Sequence, residues 1–241
     1  MADWVALLSF GPDGWGLALL QGAWITLSVA VVTLPFGLAL GLAVALAFRS
    51  SSPFWRTAAT LYTTVFRGLP ELLTLYIIYF GIQLLVEHLI KLAGLQSQFS
   101  ISPFLAGVVA LGMVLAAFSA EVWLGAFNAL HKGQVEGASA LGLGRFQTFR
   151  HIVWPQLLRA ALPGLGNNWM VLLKETSLVS VITLQDTMFI ATRANVVTKE
   201  PFLFFGAAAC IYLFFSVVSS IGLWALERRS ARGFAPVGRQ A

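Results

Sequence analysis

The sequence predicts an all-α integral membrane protein with about five transmembrane helices, and three observations carry that prediction. Of its 241 residues, 58% are hydrophobic and 10% charged, with a mean hydropathy of +0.82; a soluble domain carries about a quarter charged residues. Residues 14–48, 92–120 and 201–226 contain no formal charge, and each run exceeds the ~20 residues needed to cross a bilayer. The net charge of +5 comes from 15 Lys and Arg scattered between apolar runs. That is the distribution of cytoplasmic loops in a membrane protein, so no nucleic-acid partner is expected.

The first span is placed at 17–48, with a bend expected at Pro35. No basic segment precedes it, the first basic residue being Arg49, so a cleaved signal peptide is not expected and this run is read as a retained helix. The second span, 57–86, contains Arg67, Pro70 and Glu71. The uncharged stretch after Glu71 is too short to cross alone, so the helix either takes in both charges or breaks near Pro70. The third span is placed at 98–130, and a loop at 131–155 follows it. The fourth, 157–184, holds Asn167, Asn168, Lys174 and Glu175, which requires a position surrounded by protein or beside a water-filled cavity. The fifth is 201–226. The lone Cys210 falls inside it and is read as inert packing, and Gly37 with Gly41 as a helix-packing pair.

Charge sets the direction. With the N-terminus outside, the inner segments hold Arg49 and Arg56, then Lys132, Arg145, Arg150 and Arg159, then Arg228, Arg229, Arg232 and Arg239. The outer segments hold only Lys91, Arg193 and Lys199. By the positive-inside rule the C-terminus and the 131–155 loop are cytoplasmic.

That loop contains EGASALGLGRFQTFRHIVWP, residues 136–155. Placed on one helix, Ala138, Gly142, Phe146, Phe149 and Val153 form a stripe, small at one end and bulky at the other. Glycine costs a helix about 1 kcal/mol relative to alanine, a cost accepted where another backbone must come close. The stripe fits either a helix lying on the inner leaflet or one docked in a protein groove, and its small-residue end offers lipid little area. Pro155 is suited to open the next helix.

Glu136, Ala138, Gly142, Ile152 and Pro155 match the EAA loop of ATP-binding-cassette importer membrane subunits, and the chain resembles that family over roughly 20–230. FRGLPELL, FSAEVWLGAF, KGQVEGASALG and LPGLGNNWMVLLKETSLVSVI are most similar to its polar amino-acid branch, the members serving histidine, lysine, arginine, ornithine or opines. Gly137 replaces the first alanine of the loop pattern, and Leu124 stands where the branch carries arginine. The resemblance implies the type I importer permease fold, and it makes the loop a coupling helix with Glu136, Gly137, Ala138, Leu141, Gly142, Phe146, Phe149 and Pro155 as ATPase-coupling residues. It further implies cytoplasmic ATPase subunits, a second permease subunit, an external solute-binding protein, and the bacterial inner membrane with its lipid. Importers of acidic or neutral amino acids such as glutamate or glutamine are the alternative.

ATP and Mg²⁺ are expected on the partner ATPase. No lysine follows a glycine, whereas a P-loop needs that pair to hold phosphates. No cofactor or metal is expected on this chain: His88, His131 and His151 lack metal spacing, and no nucleophile sits with a general base. An ion-gradient transporter would show internal repeats, which are not apparent.

The charges inside spans are the candidates for the substrate path, because burying one costs at least ~2.5 kcal/mol. Arg67 and Glu71 are read either as an ion pair across the Pro70 region or as a gate. Glu121 is expected either to pair with Lys174 or to meet a substrate amino group. Asn168, Trp169, Lys174 and Thr176 are read as lining a cavity or as helix–helix contacts, with Trp169 offering a face to a cation.

Overall fold

The computed structural model describes residues 4–93 and 100–231, and among these every regular element is helical. The first two residues of the predicted 98–130 span, and the basic residues Arg232 and Arg239, lie outside the described residues. A single turn, α1 (Trp4–Leu7), precedes the long α2 (Gly16–Phe48). Next come α3 (Pro53–Gly68), α4 (Glu71–Tyr76) and α5 (Ile82–Leu92), the last two joined by a π-helical stretch, Ile77–Gly81. Helix α6 (Pro103–Asn128) leads to α7 (Lys132–Ala140) and α8 (Arg145–Thr148). A second π stretch, Phe149–Val153, runs into α9 (Trp154–Glu175), which continues as a 3₁₀ segment, Thr176–Ile182. The chain ends with α10 (Thr187–Thr198) and α11 (Pro201–Ala231).

Helices α3 and α6 start on Pro53 and Pro103, each after a serine, the position where a missing N–H costs nothing and the fixed φ suits a helix. Among the described residues, four helices are long and apolar enough to cross a bilayer: Gly16–Phe48, Glu71–Leu92, Pro103–Asn128 and Pro201–Ser230. Helix α2 runs through Pro35 without interruption. The expected 57–86 span is not one helix. It stops at Gly68, turns through extended Leu69 and Pro70, and restarts at Glu71, because the residue before a proline is driven out of the helical region. The crossing helix reaches the needed length by running on to Leu92, past the predicted end at 86.

The centre is the pairing of α2 with α6. At Gly41 a side-chain carbon would sit 2.9 Å from the Ala116 carbonyl oxygen, and at Gly37 it would strike the Leu115 side chain. Small residues let these two backbones approach, as the Gly37–Gly41 spacing predicts. Helix α9 lies against α2, α6 and α11, which is how a helix carrying Asn167, Asn168 and Arg159 is held by protein. Cys210 is exposed on α11 rather than packed. Large apolar side chains such as Leu84, Leu85, Phe214 and Ile221 are also exposed, the surface of a chain solvated by hydrocarbon.

One polar knot ties the opposite end of the molecule from the loop. Thr26 on α2 shares a 2.9 Å hydrogen bond with Thr187 and accepts from the Thr187 backbone N–H at 3.1 Å. Asp186 caps α10, its Oδ1 accepting from Phe189 N–H at 2.9 Å. Gly22 makes the approach possible, since a side chain there would meet the Asp186 carbonyl at 2.9 Å. Asp186 is fully buried, and its Oδ2 has no hydrogen-bond partner among the described residues.

Candidate functional site

Arg67 occupies the last turn of α3, and the Leu69–Pro70 break turns it away from Glu71. Its Nη1 donates to Glu121 Oε1 on α6 at 2.7 Å, and its guanidinium lies over the Phe118 ring, 5.6 Å from the centroid. Neither ion pair read from the sequence, Arg67 with Glu71 or Glu121 with Lys174, is present among the described contacts. A helix break re-aims the first pair; the second fails because Lys174 leaves α9 on another face. Leu124 cannot donate to Glu121, and the guanidinium beside that carboxylate comes instead from α3.

Glu71 opens α4 facing a cavity of about 210 Å³ between α4, α6 and α9. The cavity is lined by Phe118 from α6, by Asn167, Asn168 and Glu175 from α9, and by apolar side chains. Asn168 Nδ2 donates to Ser119 Oγ at 3.2 Å, fixing its carboxamide against α6. Two carboxylates and two carboxamides therefore face one small space, and among the described residues no basic group lines it. Sequence reasoning singled out Glu71 and Asn168 but passed over Asn167 and Glu175 as ligand groups. The signal was available: 168, 171, 172 and 175 follow helical spacing and share a face.

The other three candidates on this helix go elsewhere. Trp169, about 100° round the helix from Asn168, faces an apolar crevice between α2, α9 and α11. Lys174 borders a separate cavity with Ser177, Met188 and Tyr212. Thr176 is fully buried, its Oγ1 donating to the Leu173 carbonyl at 2.7 Å. The four do not line one cavity.

The 136–155 segment is not the single helix that its stripe suggested. Helix α7 ends at Ala140 in a glycine-terminated turn: Gly142 adopts φ +78°, its N–H bonds the Ser139 carbonyl at 3.0 Å, and Leu143 N–H bonds the Ala138 carbonyl at 3.1 Å. This is the Schellman arrangement, which a residue in the left-handed region closes. The chain then folds back, so that Ala138 is buried while Leu141, Phe146 and Phe149 stay exposed, Leu141 by 84% and Phe146 by 72%. Glu136 and Gly137 are exposed on α7, and no atom would meet a side chain at Gly137. Ala138 thus packs the segment itself, and its small size lets α7 close on the following turns. Pro155 stands in the first turn of α9, directly after the π stretch. That local widening accommodates a residue unable to donate a backbone hydrogen bond.

Comparison with known proteins matches residues 37–232 to the family described as binding-protein-dependent transport system inner membrane component. The chain is 41% identical over 231 residues to the octopine transport system permease protein OccQ of Rhizobium radiobacter, covering 96% of this chain and 98% of that one. It is 39% identical over 220 residues to the histidine/lysine/arginine/ornithine transport system permease protein HisQ of Salmonella typhimurium, covering 91% and 96%. Among solved structures it is similar to an amino acid ABC transporter crystallised with histidines, with TM-score 0.78, 30% identity, and coverage of 95% and 99%. The MetNI methionine ABC transporter shares the fold at TM-score 0.70 and 17% identity, covering 90% of this chain and 98% of that one.

Proposed function

We propose, from the premise that the chain belongs to the family of binding-protein-dependent transport system inner membrane components, that it passes basic amino acids or opines through the Glu71–Glu175 cavity. Membership makes the protein a multi-pass inner-membrane permease, the transport component of an ABC importer whose ATPase is a separate partner. The observation that carries the substrate reading is the cavity lining: Glu71, Glu175, Asn167 and Asn168, with no basic residue among the described ones. A cationic side chain desolvated there keeps charge-assisted partners, whereas an anionic one would face two carboxylates. The names of the relatives, octopine and histidine/lysine/arginine/ornithine permeases, agree with that chemistry.

In this reading the N-terminus is outside and the C-terminus and 136–155 segment are cytoplasmic, with α9 as a fifth crossing helix. Glu136, Gly137, Leu141, Gly142, Phe146 and Phe149 present the face that docks the ATPase, where ATP and Mg²⁺ bind. An external solute-binding protein delivers the substrate, and a second permease subunit completes the path. Membrane lipid covers the remaining apolar surface.

Uptake by the reconstituted complex tests the cavity. Glu71→Gln and Glu175→Gln each remove one charged hydrogen-bond acceptor, worth about 1.5–3 kcal/mol. Arginine uptake should therefore fall by roughly tenfold or more while glutamine uptake changes much less. Equal losses for both amino acids would exclude the cavity as the selective site.

A further inference from the structure

The cavity does not continue freely toward the end of α6 from which the 136–155 segment departs. Phe118 belongs to its lining, and Glu121 lies one turn further along α6. The Arg67 guanidinium covers the Phe118 ring and binds Glu121 at 2.7 Å. Phe118 thus forms part of one wall of the cavity, and the Arg67–Glu121 pair backs it.

Earlier on α3 lies a second, partly polar space. Arg56, Thr57, Thr60 and Thr64 recur at helical spacing on α3, all exposed, and line a groove of about 580 Å³. The opposite face of α3 buries Ala59 and Thr63. Pro53 and the exposed Leu61 complete the lining, and the Thr60 hydroxyl donates to the Arg56 carbonyl at 2.9 Å. The groove is therefore mixed, but its guanidinium and threonines favour a place beside protein or water over one in hydrocarbon. Arg67 stands at the head of this stripe and Glu71 at the mouth of the cavity, with only the Leu69–Pro70 break between them. Along the chain the ion pair therefore falls between the groove of α3 and the cavity at Glu71.

We infer that Arg67–Glu121 is the inner gate of the translocation path, an inference that rests on the cavity being the substrate site. The paired state closes the cavity over Phe118, and passage requires the two side chains to part. The pair is half-exposed, 43% and 46% for the two side chains, so neither partner is enclosed by the chain's own packing when they separate. Such a pair breaks far more readily than a buried one, whose partners would be stranded in low dielectric. A cation leaving Glu71 and Glu175 also offers Glu121 an alternative partner, so cargo of the proposed class competes directly with Arg67. The hinge for the motion is the turn at Leu69–Pro70, where α3 and α4 are already uncoupled.

Two measurements on the complete reconstituted transporter test the gate. In a Cys210→Ser background, Arg67→Cys with Glu121→Cys is treated with a bifunctional methanethiosulfonate reagent. That reagent is used because an Arg–Glu contact is too wide for a direct disulfide. Cross-linking should abolish ATP-driven uptake of radiolabelled arginine and of glutamine, and reductant should restore the uptake seen before treatment; full uptake with the link in place would overturn the gate. Separately, Glu121→Gln and Arg67→Gln should raise the ATPase rate in the absence of solute-binding protein by about fivefold or more, and the exchange Arg67→Glu with Glu121→Arg should bring it back. Single variants that leave this rate unchanged at normal assembly, or an exchange that rescues assembly but not the rate, would make the pair a structural strut. Neither readout compares substrates, so failure of the cation-selectivity experiment leaves the gate test intact.

Discussion

Asp186 is the side chain most at odds with its surroundings. Burial pushes its carboxyl up to about 6 from 3.8, against the lowering pull of the Phe189 and Met188 N–H groups and of the Tyr212 hydroxyl beside it. The folded protein therefore holds a proton that the unfolded chain releases near pH 4. This contribution, about 3 kcal/mol, is complete below 3.8 and is lost as pH rises through 6. The unfolding midpoint of the purified protein should rise from pH 7 to pH 5. Asp186→Asn, which keeps the cap, should be less pH-sensitive and more stable at pH 7; a pH response equal to that of the native protein would refute the assignment. Single residues were legible in the sequence wherever polarity clashed with apolar context, which is how Arg67, Glu71, Glu121 and Asn168 stood out. Their partners were not, because pairing crosses helices: Arg67 meets a residue 54 positions away, while the sequence offered only its neighbour four places on.

At the scale of elements, punctuation decided what could be read. The proline-led starts of α3 and α6 follow from local chemistry, and so does the break before Pro70. The folding-back of 136–155 does not, because Ala138, Gly142 and Phe146 satisfy a helical period whether or not the helix continues. What ends α7 is the conformation of Gly142, and that yields a contrast between two glycines of the same segment. Gly142→Ala meets no atom but must hold φ +78°, a cost of about 1 kcal/mol; it should fray the turn and weaken co-purification with the ATPase. Gly137→Ala also meets no atom and lies inside α7, where alanine gains about 1 kcal/mol of helix propensity. ATPase retention should be unchanged by this second variant and measurably reduced by the first. The reverse order would remove the Schellman turn from any role in docking.

Over the whole molecule, length and hydropathy were enough to find α2, α6 and α11, because nothing but lipid or tight packing accepts such sequences. They were weak for α9, whose Arg159 and asparagines are tolerated only because α2, α6 and α11 surround it. Whether α9 crosses has a direct readout. With Cys210 replaced, Leu141→Cys in the 136–155 segment and Val196→Cys on α10, exposed by 84% and 60% in the native chain, should react with a membrane-impermeant maleimide from opposite sides of intact vesicles. Labelling of both from the same side would exclude the crossing. The π stretch at Phe149–Val153 then takes on mechanical meaning. It joins α8 to α9 without a break, so residues 145–175 form one continuous helix, through Pro163, about 46 Å long at 1.5 Å per residue, with Phe146 and Phe149 toward one end and Asn168 and Glu175 toward the other. A continuous helix shortens little, so a push at its aromatic end arrives at the Glu175 carboxylate as a tilt about the α6 contact. The five residues wound wide fix the azimuth between the two ends, and removing one of them would turn Asn168 and Glu175 away from the cavity while leaving both ends intact.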